Sequence, residues 1–98
     1  MAAYFVAQIN INHFQEYQKY LDRYDEVFLK YKGEVLVVDD KPEILEGDWD
    51  YFRFVLIKFP SKKELKDWYL SPEYQKIVKY RHNSSKADII VVDNGLDL

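Results

Sequence analysis

The chain has 98 residues, a formal net charge of −3, 48% hydrophobic and 17% aromatic content, and no cysteine. That length makes one domain over residues 1–98 with only a modest core. The apolar content excludes disorder, and the acidic balance argues against nucleic acid, which needs a concentrated basic surface.

The missing cysteines exclude disulfides, thiolate metal sites and cysteine nucleophiles, and fit a reducing, cytoplasmic setting. No basic region precedes the first apolar residues, and Gln8 and Asn10 interrupt them, so no signal peptide is read there. No apolar run approaches the length of a membrane span. The lysines at 62, 63, 66, 76 and 79 are interleaved with acids and read as a solvated helix face.

Residues 4–11 read as a strand by their aromatic and β-branched content. Phe5, Ala7, Ile9 and Ile11 fall on one face, and Tyr4, Val6, Gln8 and Asn10 on the other. Asn12, three residues before Gln15, is read as the N-cap of a capping box. Phe14, Tyr17, Leu21, Tyr24, Phe28 and Tyr31 then recur at spacings of three and four, one stripe of a helix. That helix spans about 18 residues, roughly 27 Å, and Gly33 is expected to stop it in the left-handed conformation.

Residues 34–39 (Glu-Val-Leu-Val-Val-Asp) form a second strand with no polar face in its interior. Asp40-Lys41-Pro42-Glu43 breaks it, and Ile44-Leu45 is read as a short extra strand before an acidic turn at 46–50 that holds Trp49. Residues 51–59 make a third strand. Ser61 and Glu64 repeat the capping-box pattern, and Leu65, Trp68 and Tyr69 give the following helix an apolar side. Ser71-Pro72 opens a new helical segment, with serine as cap and proline where its missing N–H does no harm. Tyr74, Ile77, Val78 and Arg81 share a face of it, residues 83–85 end it, and residues 88–93 are the last strand.

The order is β-α-β twice, and the halves echo each other. Two interlocked right-handed crossovers of this length predict an α+β, ferredoxin-like βαββαβ fold, a four-stranded antiparallel sheet with helices on one face. The second, third and fourth strands are apolar on both faces, which normally requires cover on both sides. The helices cover one. The other would leave more apolar surface than a soluble monomer usually exposes. A second copy of the chain is the simplest cover, so a homodimer through the open sheet face is expected, with pairing to a different protein as the alternative.

Glu43-Ile44-Leu45-Glu46-Gly47-Asp48-Trp49, then Phe59-Pro60-Ser61, Trp68-Tyr69, Ser71-Pro72-Glu73-Tyr74, Arg81 and Ala87-Asp88 together give the chain a family resemblance. It resembles the small-protein family of domain of unknown function thirteen-thirty over almost its whole length. The resemblance implies the dimeric α/β-barrel superfamily, in which two ferredoxin-like sheets close into one barrel across a two-fold axis. That superfamily includes cofactor-independent monooxygenases, haem-degrading proteins and stress-responsive proteins, and the family itself brings no established activity. Where the family often has proline and histidine before the arginine matched to Arg53, this chain has Asp50-Tyr51-Phe52. No role resting on that histidine transfers.

Chemistry is sparse. His13 and His82 are the candidate neutral-pH bases, and they stand at opposite ends of the helical regions. His13 reads as a surface residue. His82 lies near a helix end, where a cation meets the dipole favourably. Neither pairs with a carboxylate or a second histidine at metal-ligand spacing, so no metal and no cofactor is expected. Trp49, Trp68, Tyr69 and Tyr74 fit the recipe for an apolar small-molecule pocket, but the favoured reading of them is core and interface anchors.

Arg53 shares a strand face with Val55, Ile57 and Phe59, so its guanidinium must be paired or bound to an anion if that face is interior. Glu46 or Asp48 is the expected structural partner. Arg81 carries the same ambiguity, and Gln8 and Asn10 offer neutral hydrogen-bonding groups on the first strand. Two functions follow. One is a homodimeric small-molecule binding or structural module. The other is a cofactor-independent, monooxygenase- or isomerase-like enzyme acting on a small aromatic or acyl substrate. In that enzyme Arg53 or Arg81 would hold a carboxylate or enolate, and Trp68, Tyr69 and Tyr74 would orient the ring. A pocket of several hundred Å3 beside Arg53 would favour the enzyme, and a filled interior the module.

Overall fold

Alternation in the first strand sets the layers. The structure, a computed structural model, describes residues 2–93. The elements run β1 (Ala3–Ile11), α1 (Phe14–Phe28), β2 (Glu34–Asp39), β3 (Arg53–Phe59), α2 (Lys62–Tyr69), α3 (Pro72–Ser84) and β4 (Ser85–Asp93). In β1, Ala3, Phe5, Ala7 and Ile9 are buried while Tyr4, Val6, Gln8 and Asn10 are half-buried. The strand is central because it pairs antiparallel with β3 on one side and β4 on the other. With β2 added beyond β3, the order is β2-β3-β1-β4. This is the ferredoxin-like fold that the two interlocked halves predicted.

The register assigns both faces. Ile90, Val6, Leu56 and Val37 are cross-strand neighbours in turn, an apolar row running through all four strands on the face away from the helices. Val37, Ile90 and Val92 are 40%, 59% and 43% exposed. On the helix side, Val35 pairs with Ile57 and Val38 with Val55, because a bulge between Val35 and Val37 shifts the ladder by one. The helices do not reach this edge: all of β2 is exposed, so it is uncovered on both faces and not on one alone.

α2 and α3 begin as expected. The Ser61 hydroxyl accepts from the Glu64 N–H at 3.2 Å and the Ser71 hydroxyl from the Tyr74 N–H at 3.1 Å, with Pro72 in the first turn of α3. α1 departs from expectation at both ends. Its N-cap is His13, without a side-chain bond, and the N–H groups of Asn12 and His13 both donate to the Ser84 carbonyl, at 2.6 and 3.1 Å. The Asn12 side chain makes no cap, and Ser84 ties the two residues before the helix to the end of α3.

At its other end α1 stops at Phe28 and tightens into 3₁₀-type bonds from Lys30 to Val27 and from Tyr31 to Phe28. Gly33 is not left-handed; the positive-φ glycine among the described residues is Gly47. A Cβ at Gly33 would lie 2.6 Å from Phe28 Cζ and 2.7 Å from Phe59 Cζ, so glycine stands there for ring clearance.

The core is aromatic. Trp68 is fully buried, stacked on Phe59 at 5.4 Å, 4.4 Å from Tyr74, and edge-on to Phe5 and Phe28 at 5.3 and 5.7 Å. Each such pair adds about 0.5–1.5 kcal/mol beyond the area it buries. Residues 40–52 form no strand, so Ile44 and Leu45, 53% and 88% exposed, do not make the expected short one. β3 starts at Arg53, two residues later than predicted. The Asn10 side chain takes the pairing instead, accepting from the Phe52 N–H at 2.7 Å and donating to the Asp50 carbonyl.

Candidate functional site

A cavity of about 90 Å3 lies between α1 and the helix side of the sheet, several times the space one water needs. Phe5, Ile9, Val55, Ile57 and Ile89 form its floor, and Tyr17, Tyr20, Leu21 and Tyr24 of α1 its roof. Val35 and Val38, both turned inward by the bulge, complete it at the β2 edge. They are 42% and 55% exposed and Leu21 is 36% exposed, so the cavity opens between α1 and β2.

Two arginines enter this apolar space. Arg53, on β3, grips Asp40 through two prongs, Nε to Oδ1 at 2.6 Å and Nη2 to Oδ2 at 3.1 Å. Its guanidinium also stands 5.5 Å from the Tyr17 ring centre. The hydrogen bond that it donates to Asp40 is the main reason its pKa moves up. Asp40 is therefore the partner, in place of Glu46 or Asp48. It follows directly on β2, whereas 46 and 48 lie in the far part of the 40–52 segment.

Arg81, on α3, is 3% exposed and reaches the cavity from its buried end. It packs over the Tyr20 ring at 5.8 Å, and its Nε and Nη2 make no hydrogen bond among the described residues. Burial opposes its charge and the Tyr74 and Tyr20 phenols favour it, with a net upward direction. A guanidinium stays ionised at any physiological pH. Its backbone is fixed by Ser85 Oγ, which donates to the Arg81 carbonyl at 2.6 Å where α3 runs straight into β4.

The phenols around the cavity are donors. Burial pushes Tyr17 and Tyr24 above their ordinary values and Tyr20 well above, and it raises Tyr74 as well. All stay protonated near neutral pH. Tyr20 and Tyr74 share a hydroxyl–hydroxyl bond of 2.8 Å, and the buried Tyr24 hydroxyl has no partner among the described residues.

The structure brings together only part of the expected set. Arg53 and Arg81 meet at the cavity, but Trp49, Trp68, Tyr69 and Tyr74 do not line one pocket. Trp68 and Tyr74 are fully buried core residues. Trp49 lies 6.4 Å from the ring of Phe54, the cross-strand partner of Gln8, and borders a surface hollow with residues 42–46. Tyr69 borders a separate groove of about 340 Å3 with Phe5, Leu65 and Val91. His82 is exposed and outside the cavity, and partial burial followed by the Arg81 charge lowers its pKa. Gln8 and Asn10 face away from the helices.

Sequence reading missed Tyr20, Val35, Val38 and Asp40. A usable signal for the first was present: Tyr17, Tyr20 and Tyr24 put three phenols at helical spacing, where plain packing needs no hydroxyls.

Four antiparallel strands in this order, with helices on one face and a pocket between the layers, make this a ferredoxin-like protein. Residues 2–95 match the family described as Domain of unknown function (DUF1330), and the chain belongs to that family. No curated protein matches it.

Among solved structures, it is similar to the RPA0582 protein of unknown function from Rhodopseudomonas palustris. Identity there is 16% at a TM-score of 0.77, covering 93% of this chain and 80% of that one. A dimeric ferredoxin-like protein of unknown function from Jannaschia sp. CCS1 matches at 12% identity and a TM-score of 0.78, over 96% of this chain and all of the other. SnoaB, a cofactor-independent oxygenase from Streptomyces nogalater, matches at 12% identity and a TM-score of 0.66, over 99% and 96% of the two chains. These likenesses establish the fold.

Proposed function

We propose that the protein is a homodimeric, cytoplasmic, single-domain small-molecule binding protein. Its site is the cavity between α1 and the sheet, and its second subunit packs on the open sheet face to complete a barrel. One observation carries the binding reading: apolar walls enclose a space into which two cationic side chains converge, the usual composition of a ligand pocket. The row Ile90–Val6–Leu56–Val37 supports the dimer, and the Jannaschia protein of the same fold is described as dimeric.

The enzyme reading draws on the fold shared with the Streptomyces oxygenase. The cavity favours binding. It is well below several hundred Å3, and its phenols are held protonated, so they donate hydrogen bonds instead of abstracting protons. A fragment screen read by amide chemical shifts tests the site. Binders should perturb Leu21, Val35 and Val38 at the mouth together with Arg81. Saturable binders that map only to the groove beside Tyr69 or the hollow beside Trp49 would refute it.

A further inference from the structure

We infer that the cavity takes a small organic monoanion, a carboxylate on a short apolar body, with Arg81 as its counterion. This rests on the cavity being the ligand site. The two arginines differ in a way that singles out Arg81. Arg53 presents its Nε–Nη2 edge to the two oxygens of Asp40 and is thereby neutralised. Arg81 has the same edge buried and without a hydrogen bond, on a side chain 3% exposed.

A buried cation with unmet N–H groups is costly unless an anion meets it. No carboxylate is among the described residues that line the cavity. Among the described residues the Tyr24 hydroxyl is a further buried polar group of the lining without a partner, again a donor at neutral pH. The Tyr20 and Tyr74 hydroxyls are engaged with each other, and Tyr74 also with the Arg81 guanidinium, which leaves the Nε and Nη2 of Arg81 without a hydrogen bond among the described residues.

The site therefore offers donors and asks for an acceptor bearing negative charge. The Nε–Nη2 fork matches the parallel oxygens of a carboxylate, as Arg53 demonstrates within the same molecule. Phe5, Ile9, Val55 and Ile57 set the remainder of the ligand: apolar, and small enough for about 90 Å3.

Propionate is a suitable probe and propionamide its neutral counterpart, titrated into the full chain by calorimetry with amide shifts as a map. Propionate should bind saturably at the cavity, roughly tenfold or more tighter than propionamide. Arg81→Met should remove that preference while keeping propionamide binding, and its melting temperature without ligand should equal or exceed that of the wild type. Arg81→Lys keeps the charge without the fork and should fall between them, which preserves the test if the methionine variant does not fold. Equal affinity for propionate and propionamide would overturn the anion and leave the pocket standing. Failure of both to bind at the cavity would remove the pocket as well. A preference retained in Arg81→Met, or full propionate affinity in Arg81→Lys, would overturn the role of Arg81.

Discussion

Leu56→Lys on the open sheet face should turn a dimer into a folded monomer. Leu56 stands opposite Val6 on one side and Val37 on the other, and Val6 in turn faces Ile90. The new charge falls in the middle of the row that is apolar on all four strands. Burying a leucine side chain contributes about 1.5–3 kcal/mol, and a two-fold interface contains the residue twice. The substitution therefore removes about 3–6 kcal/mol of association, roughly 10²- to 10⁴-fold in Kd. Leu56 is already half-buried within one chain, which pulls the figure toward the lower end. Desolvating two ammonium groups acts in the opposite direction. Sedimentation equilibrium at micromolar concentration reads the mass, and far-ultraviolet circular dichroism checks that the monomer keeps its helices. Leu29→Lys is the control, since Leu29 is 80% exposed just after α1 and away from the sheet. A wild type that sediments as a monomer, or a Leu56→Lys variant that keeps the dimer mass, refutes the reasoning.

Gly33→Ala should cost about 1–3 kcal/mol through overpacking against Phe28 and Phe59. The penalty should shrink in a Phe28→Leu background in a double-mutant cycle; a constant penalty would point to the backbone. Asp40→Asn leaves the half-buried Arg53 guanidinium without its counterion and should lower stability by about 1–2 kcal/mol. Glu46→Gln and Asp48→Asn should stay within about 0.5 kcal/mol of wild type. Thermal melts of the three variants decide which carboxylate holds Arg53.

Much of the fold was legible because short-range signals agreed. Ser61 with Glu64 and Ser71 with Pro72 announced two helix starts, and both hydroxyls cap as expected. The alternation in β1 read correctly because one of its faces is buried and the other only half so. Misses came where a distant group replaced the local one. Asn12 looked like a cap, yet its N–H is claimed by Ser84, 72 residues away in sequence. Gly33 looked like a left-handed stop, yet what requires glycine is a pair of rings brought in by α1 and β3. Neither contact exists until the sheet has formed.

The site was harder to read for the same reason, sharpened by chemistry. Arg53 and Arg81 looked equivalent along the chain, each on an otherwise apolar face. Their difference lies in Asp40, which a strand pairing carries to Arg53, while the straight passage from α3 into β4 carries Arg81 to the closed end of the cavity. The aromatic residues were left between two readings because ring content alone cannot separate a core from a pocket wall. Trp68 and Tyr74 pack against rings on every side, whereas Tyr17, Tyr20 and Tyr24 present one face to open space. β2 links the two unmet requirements of the molecule. Its bulge sends Val37 to the open face and Val35 and Val38 to the cavity mouth. A subunit that covers the first also orders the strand that frames the second, so the affinity of the cavity for its ligand should rise with dimerisation, and Leu56→Lys should weaken propionate binding without touching a residue of the pocket.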